Sequence, residues 1–221
     1  MKIEIGAQKP ANFKTYWDGQ YEVFSHFDYA CGIPSVLFAI TTVKENGKPN
    51  VCFHAWSNFT GDGSGFFAVV GGLYRHSHTY ANILRTGEFV INFIGQAYYD
   101  ACMATIAQND ADTDEFAVAG FTQEPAKTLS CPRIKEAFLS LECRLENEMD
   151  LSDAGTIALL IGRVQHIAMQ EEFAAHLEAG NPGAKYGDEG FMFNIHSPKN
   201  LVTGVGEASG LAVLKVVRTD V

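Results

Sequence analysis

The residues best suited to hold an anion lie at positions 63–87. That stretch contains no Asp or Glu, yet it carries Arg75, His76, His78 and Arg85. It also opens a helical pattern in which Ser77 and Thr79 occupy the first turn. Free backbone N–H groups at a helix start, hydroxyls and a guanidinium are the donors that a phosphate group needs. The contrast with the rest of the chain is large. The 221 residues hold 16 Lys plus Arg against 26 Asp plus Glu, net −10, and residues 101–150 alone carry 10 acids and four bases. A solvated arginine beside a threonine that only caps the helix is the alternative reading, and composition leaves both open.

A second group follows the strand-like run 49–53. His54-Ala55-Trp56-Ser57-Asn58 mixes small and polar residues, and small side chains let a flat ligand ring reach main-chain N–H and C=O groups. An ordinary strand-to-loop transition would read the same way. Cys52 and His54 share a strand face, and His76-Ser77-His78 is a His-x-His pair. However, that spacing at a helix start does not keep both rings on one face, so no metal is expected.

Three Gly-rich signals are weak. Gly61-Asp62-Gly63-Ser64-Gly65 lacks the Lys-Ser/Thr of a phosphate-binding P-loop. Gly204-Val205-Gly206-Glu207-Ala208-Ser209-Gly210 misses the dinucleotide fingerprint by one residue and stands too near the C-terminus. No Gly-x-Ser-x-Gly elbow occurs. Cys31, Cys52, Cys102, Cys131 and Cys143 are odd in number with no Cys-x-x-Cys, which speaks for reduced, buried thiols.

The elements that must position these groups read mainly as strands. Runs at 35–43 and 49–53 flank Asn46-Gly47, a hairpin signal. The segment 54–65 reads as a Gly-rich loop and 66–70 as a third strand. A helix follows, with Ser77 as N-cap, Gly87 past its last turn, and Tyr80, Ile83 and Leu84 on one face. Strands are expected at 88–94, 138–148, 156–169, 191–195 and 211–217. Helices are expected at 100–108, 132–137 and 171–179, the last broken by Asn181-Pro182-Gly183. Residues 1–30, with Tyr16, Trp17, Tyr21, Phe24, Phe27 and Tyr29, read as an aromatic N-terminal arm. Short strands joined by hairpins, with few helices, indicate an antiparallel barrel rather than a parallel α/β sheet.

At 47% apolar residues, bulk disorder is excluded. The acidity argues against nucleic acid and against anionic membrane surfaces. The N-terminus lacks a signal-peptide core and no apolar run approaches membrane-spanning length, so a soluble, cytoplasmic protein is expected.

The order of motifs resembles a known family. Ile33-Pro34-Ser35-Val36 through Asn50-Val51, then Ser57-Asn58, Thr79-Tyr80-Ala81-Asn82-Ile83 and Thr86-Gly87-Glu88-Phe89-Val90-Ile91-Asn92 are similar to the flavin reductase-like, flavoredoxin-type FMN-binding proteins. Asp114-Glu115-Phe116, Ala119-Gly120-Phe121-Thr122, Leu141-Glu142-Cys143-Arg144 and Ile161-Gly162-Arg163-Val164 continue the likeness over residues 30–170. His54-Ala55-Trp56 is bulkier than the small, Ser-rich version of that family.

The length favours a single domain over 1–221, and the likeness over residues 30–170 sets a barrel body at 31–170 between the arm at 1–30 and a C-terminal extension at 171–221. The fold that the resemblance implies is an FMN-binding split β-barrel, antiparallel and Greek-key, usually a homodimer. Thr79 with Arg75 and His78 would meet the FMN phosphate, and Asn82 would orient that turn. His54, Ala55, Trp56, Ser57 and Asn58 would line the isoalloxazine, with Ser57 also in reach of the phosphate. The implied activity is an NAD(P)H-dependent flavin reductase passing electrons to a second acceptor, which could be a protein. The alternative is a non-enzymatic flavoredoxin-like FMN carrier reduced by a partner protein.

Overall fold

The computed structural model describes residues 2, 8–11, 13–21, 32–108, 110–150, 153–174, 190–197, 203 and 205–214. The chain forms two compact units, Met1–Ser35 with Phe193–Ala212, and Val36–Met192 with Val213–Val221.

The strands in chain order are β1 (Ser35–Val36), β2 (Phe38–Val43), β3 (Pro49–His54), β4 (Ser57–Asp62), β5 (Gly65–Tyr74), β6 (Glu88–Phe93), β7 (Gln123–Glu124), β8 (Arg133–Ile134), β9 (Leu139–Met149), β10 (Ile157–Met169), β11 (Met192–Ile195) and β12 (Gly210–Val213). Among the described residues the α-helices are α1 (His78–Thr86), α2 (Tyr99–Ala107), α3 (Glu115–Ala119) and α4 (Glu171–Ala174).

The larger unit is built on one antiparallel sheet of order β3-β2-β6-β9-β10-β5-β4. Its two edges, β3 and β4, are consecutive in the chain and joined only by Ala55 and Trp56. So short a link spans about 10 Å. The sheet must therefore curl until its edges nearly meet without pairing, which is an open, split β-barrel. Alternation along the strands fills its interior with Phe38, Ile40, Phe89, Ile91, Phe93, Phe138, Leu141 and Leu160. The ring centroids of Phe59 and Phe93 are 5.2 Å apart, edge to face. Gly162 on β10 leaves the space that the Phe89 ring occupies; a Cβ there would overlap it.

Local signals located several elements well. The Asn46-Gly47 hairpin joins β2 to β3 with Phe38 opposite His54, and Gly47 sits at φ 81°. Helix α1 begins after Ser77, whose side chain accepts from the Tyr80 N–H, and ends at Gly87, φ 69°.

Other expectations need correction. The stretch 54–65 is not a loop: β4 pairs with β5 from Ser57↔Val70 to Asp62↔Gly65. Besides the Ala55-Trp56 link, only the glycine-rich end turns, with Asp62 Oδ1 accepting from the Ser64 N–H and hydroxyl, each at 2.7 Å. The segment 132–137 is not a helix. Its Ile134 N–H donates to Asn92 Oδ1 at 3.0 Å, and the Thr41 hydroxyl donates to the Pro132 carbonyl. A six-residue helix is too short to outweigh those tertiary bonds. The apolar face expected on α1 is also different. Leu84 is exposed, and the buried positions are Thr79, Asn82 and Ile83.

In the smaller unit Phe13 packs edge-on to Tyr21, and Glu207 accepts from Lys14 and from the Tyr16 hydroxyl. Phe24, Phe27, Tyr29, Cys31, residues 175–179, the 181–183 break and residues 215–217 lie outside the described residues.

Candidate functional site

The first group forms around the start of α1. No acid stands in its first turn. Thr79 is buried, and its Oγ1 accepts from Asn50 Nδ2 at 3.0 Å. The Cys52 sulfur lies within its hydrogen-bonding reach. Asn82 is also buried and donates from Nδ2 to Thr42 Oγ1 at 3.0 Å. These inward polar side chains meet polar partners on β2 and β3, which is why apolar periodicity misplaced the helix face. His78, the first helical residue, is partly buried and lies within electrostatic reach of the Glu115 carboxylate.

Arg75 leads into this helix. Its backbone N–H donates to Thr156 O at 3.0 Å. Its guanidinium pairs with Glu148 on β9 and stands 5.7 Å over the Tyr80 ring. The Tyr80 hydroxyl donates to the same Glu148 Oε1 at 3.3 Å. Arg75 Nε is buried and meets no acceptor among the described residues. The stretch that is free of acid in sequence is therefore not free of acid in space. Arg85 stands apart, donating to the Val43 carbonyl near the other end of α1.

The second group forms at the corner between the sheet edges. His54 ends β3, and its Nε2 lies 2.8 Å from the Gly71 carbonyl. A carbonyl only accepts, so Nε2 carries the proton and the ring is the Nε2–H tautomer. Burial pushes the imidazole pKa down to about 4, so the ring is neutral near pH 7. The Gly71 N–H in turn donates to Trp56 O at 2.9 Å. Trp56 adopts a left-handed φ of 61°, uncommon for a bulky residue. Gly72, beside the Trp56 side chain, takes a left-handed φ of 69°, which L side chains rarely adopt. Ala55 is buried, and Ser57 Oγ donates to the Ala55 carbonyl at 3.3 Å. Asn58 is not drawn in: it is exposed on β4 and its Oδ1 accepts from the Phe59 N–H.

One strand joins the two groups. Asn50, Cys52 and His54 alternate along β3, so they share a face. Asn50 and Cys52 reach the helix start, and His54 reaches the corner. Sequence reasoning missed Asn50, Glu148 and Gly71. Only the Gly71-Gly72 pair carried a signal, since adjacent glycines inside a strand mark a bulge or a close approach. The β5–β10 register does shift beside it, between Ala158 and Leu160.

A buried ion pair supports the base of the site. Lys44 Nζ donates to Glu115 Oε1 at 2.7 Å, and to the carbonyls of Asp110 and Thr113 at 3.0 and 2.7 Å. Burial pushes the Glu115 carboxyl pKa up, against the opposing pull of Lys44. The four thiols among the described residues are poor nucleophiles. Burial raises Cys52 to about 11 and Cys102 and Cys131 to about 12, and raises Cys143 as well. Among the described residues, no helix is long and apolar enough to cross a membrane.

Comparison with known proteins assigns the chain. A protein of Aquifex aeolicus without assigned function is 28% identical over 165 residues, covering 70% of this chain and 83% of that one. The structure of nitrilotriacetate monooxygenase component B from Bacillus cereus superposes with a TM-score of 0.71 at 21% identity, covering 96% of this chain and 97% of that one. Flavoredoxin of Desulfovibrio vulgaris (Miyazaki F) gives 0.64 at 18% identity, with 96% of each chain covered. The model of the flavin reductase like domain matches residues 30–182, most of the chain and both groups of the site, and the chain therefore belongs to the flavin reductase-like family.

Proposed function

We propose that the chain is an FMN-binding oxidoreductase that takes electrons from a reduced nicotinamide, NADH or NADPH, and delivers them to a second acceptor. The observation that carries this reading is β3, which joins a helix start rich in phosphate donors to a backbone corner suited to a flat ring. The residues fit the cofactor. The buried Nε donor of Arg75 lacks an acceptor among the described residues, and α1 opens without a carboxylate. At the corner, a Cβ on Gly71 would come within 2.9 Å of Trp56 O, so only a bare backbone is accommodated there.

In this reading Arg75, the N-terminal N–H groups of α1 and the Thr79 hydroxyl hold the phosphate. His78 adds a donor, and Asn82 fixes the helix on β2. His54, Ala55, Trp56 and Ser57 shape the ring end. The chemistry that FMN supplies when bound is hydride acceptance from a nicotinamide and electron delivery onward. The protein's share is to bind, orient and shield, so the absence of an acid–base motif is consistent with it. A homodimer and a cytoplasmic location belong to the same proposal.

Likeness to flavoredoxin supports a second reading, an electron carrier reduced by a partner protein. Mixing the FMN-loaded protein with NADH or NADPH anaerobically separates the two. Rapid bleaching of the flavin band without a partner is expected of the enzyme. A band that persists with both nucleotides contradicts the enzyme reading and favours the carrier.

A further inference from the structure

His54 does more than border the corner. The edges β3 and β4 share no ladder, so other bonds must set the width of the split. Both peptide groups of Gly71 serve that purpose. Its N–H donates to Trp56 O at 2.9 Å, and its C=O accepts from His54 Nε2 at 2.8 Å. Gly71 is thereby clasped between the last residue of β3 and the connector that leads into β4. The clasp explains the glycine, because a Cβ would lie 2.9 Å from Trp56 O. It also explains how Trp56 persists in a left-handed conformation, which a non-glycine residue keeps only where its surroundings over-determine it.

We propose that His54 is a positioning residue for the flavin ring. By holding the Gly71 carbonyl, it fixes the Ala55-Trp56-Ser57 corner in the one conformation that presents its main chain to the isoalloxazine. The inference rests on the FMN reading above. The imidazole acts through Gly71 and the Trp56 peptide, and what it needs is a donor at Nε2. The Gly71 carbonyl, which only accepts, keeps a proton on Nε2 in either charge state of the ring.

The test compares FMN and riboflavin, which share the ring but differ in the phosphate. Both are titrated into the wild-type protein and into H54A, H54N and H54Q, following flavin absorbance and fluorescence, with a thermal melt of each variant. Glutamine extends an amide N–H to about the reach of Nε2, whereas asparagine stops short. The expected result is a loss on the order of tenfold for both flavins in His54→Ala and His54→Asn. His54→Gln should restore affinity and the wild-type shape of the bound-flavin spectrum. The proposal is overturned if His54→Asn binds both flavins as the wild type does, if the loss is confined to FMN, or if a folded His54→Gln behaves like His54→Asn. A wild-type protein that binds neither flavin would instead remove the FMN reading and this inference with it.

Discussion

The Asn50 side chain donates a 3.0 Å hydrogen bond to the Thr79 hydroxyl, and this bond ties the first turn of α1 to β3 away from solvent. Asn50 thus fills one acceptor position of the hydroxyl and leaves its proton available to another group. Thr79→Val removes the acceptor and strands a buried amide, which should cost about 1–3 kcal/mol. Urea unfolding should show this loss for Thr79→Val, with Thr79→Ser near the wild type. A valine variant of unchanged stability would contradict the role of the bond.

Arg75 should matter for FMN and not for riboflavin. Loss of a charged hydrogen bond to phosphate is worth about 1.5–3 kcal/mol, or roughly ten- to a hundredfold in affinity. Arg75→Ala should therefore lower the FMN affinity by that factor and leave riboflavin binding near the wild-type value. An equal loss for both flavins would place the role of Arg75 in folding, through Glu148 and Tyr80, rather than in phosphate binding.

The Lys44–Glu115 pair should be costly to break and tolerable to replace. Both side chains are almost wholly buried. Lys44→Met leaves the Glu115 carboxylate without its partner and should cost about 3–5 kcal/mol, whereas exchanging both for apolar residues often costs little. Denaturant melts of Lys44→Met and of the double variant Lys44→Met/Glu115→Leu check this. A double variant no more stable than the single one would contradict it.

His54 and Glu142 are among the groups that make the fold sensitive to acid. Between about pH 6.5 and 4 the unfolded chain takes up a proton that His54 in the fold does not, so stability falls as pH drops through that window. Glu142 acts lower down. Burial would raise its carboxyl pKa, but hydrogen bonds from the Lys127 and Thr128 N–H groups and the Thr128 hydroxyl outweigh that and hold it below the usual range. Its contribution is present above the ordinary carboxylate value and is lost as pH falls through the lowered one. Unfolding free energies measured at a series of pH values should show His54→Gln flattening the slope above pH 4 and Glu142→Gln flattening it below. Unchanged slopes in both would refute the assignment.

What could be read from sequence was what local chemistry decides. Ser77 and Gly87 bounded α1, and Asn46-Gly47 marked its hairpin, because caps and turns act within a few residues. Strand β4 was hidden because its pairing is with β5 and its far end is rich in glycine. The segment after Pro132 followed Asn92 rather than its own propensity. The candidate site was legible by half. Its donors stood close together in the chain, but the carboxylate that holds Arg75 lies 73 residues away on β9, and the Gly71-Gly72 pair signals a close approach without naming His54 as the partner of the Gly71 carbonyl.

The most direct test is an equilibrium titration of the purified, flavin-free protein with FMN, read by flavin absorbance and fluorescence. A site formed by the α1 start and the Trp56 corner should saturate at one FMN per chain, with riboflavin bound more weakly for want of the phosphate. A protein that stays colourless and leaves the spectrum of added FMN unchanged would contradict the account at its centre.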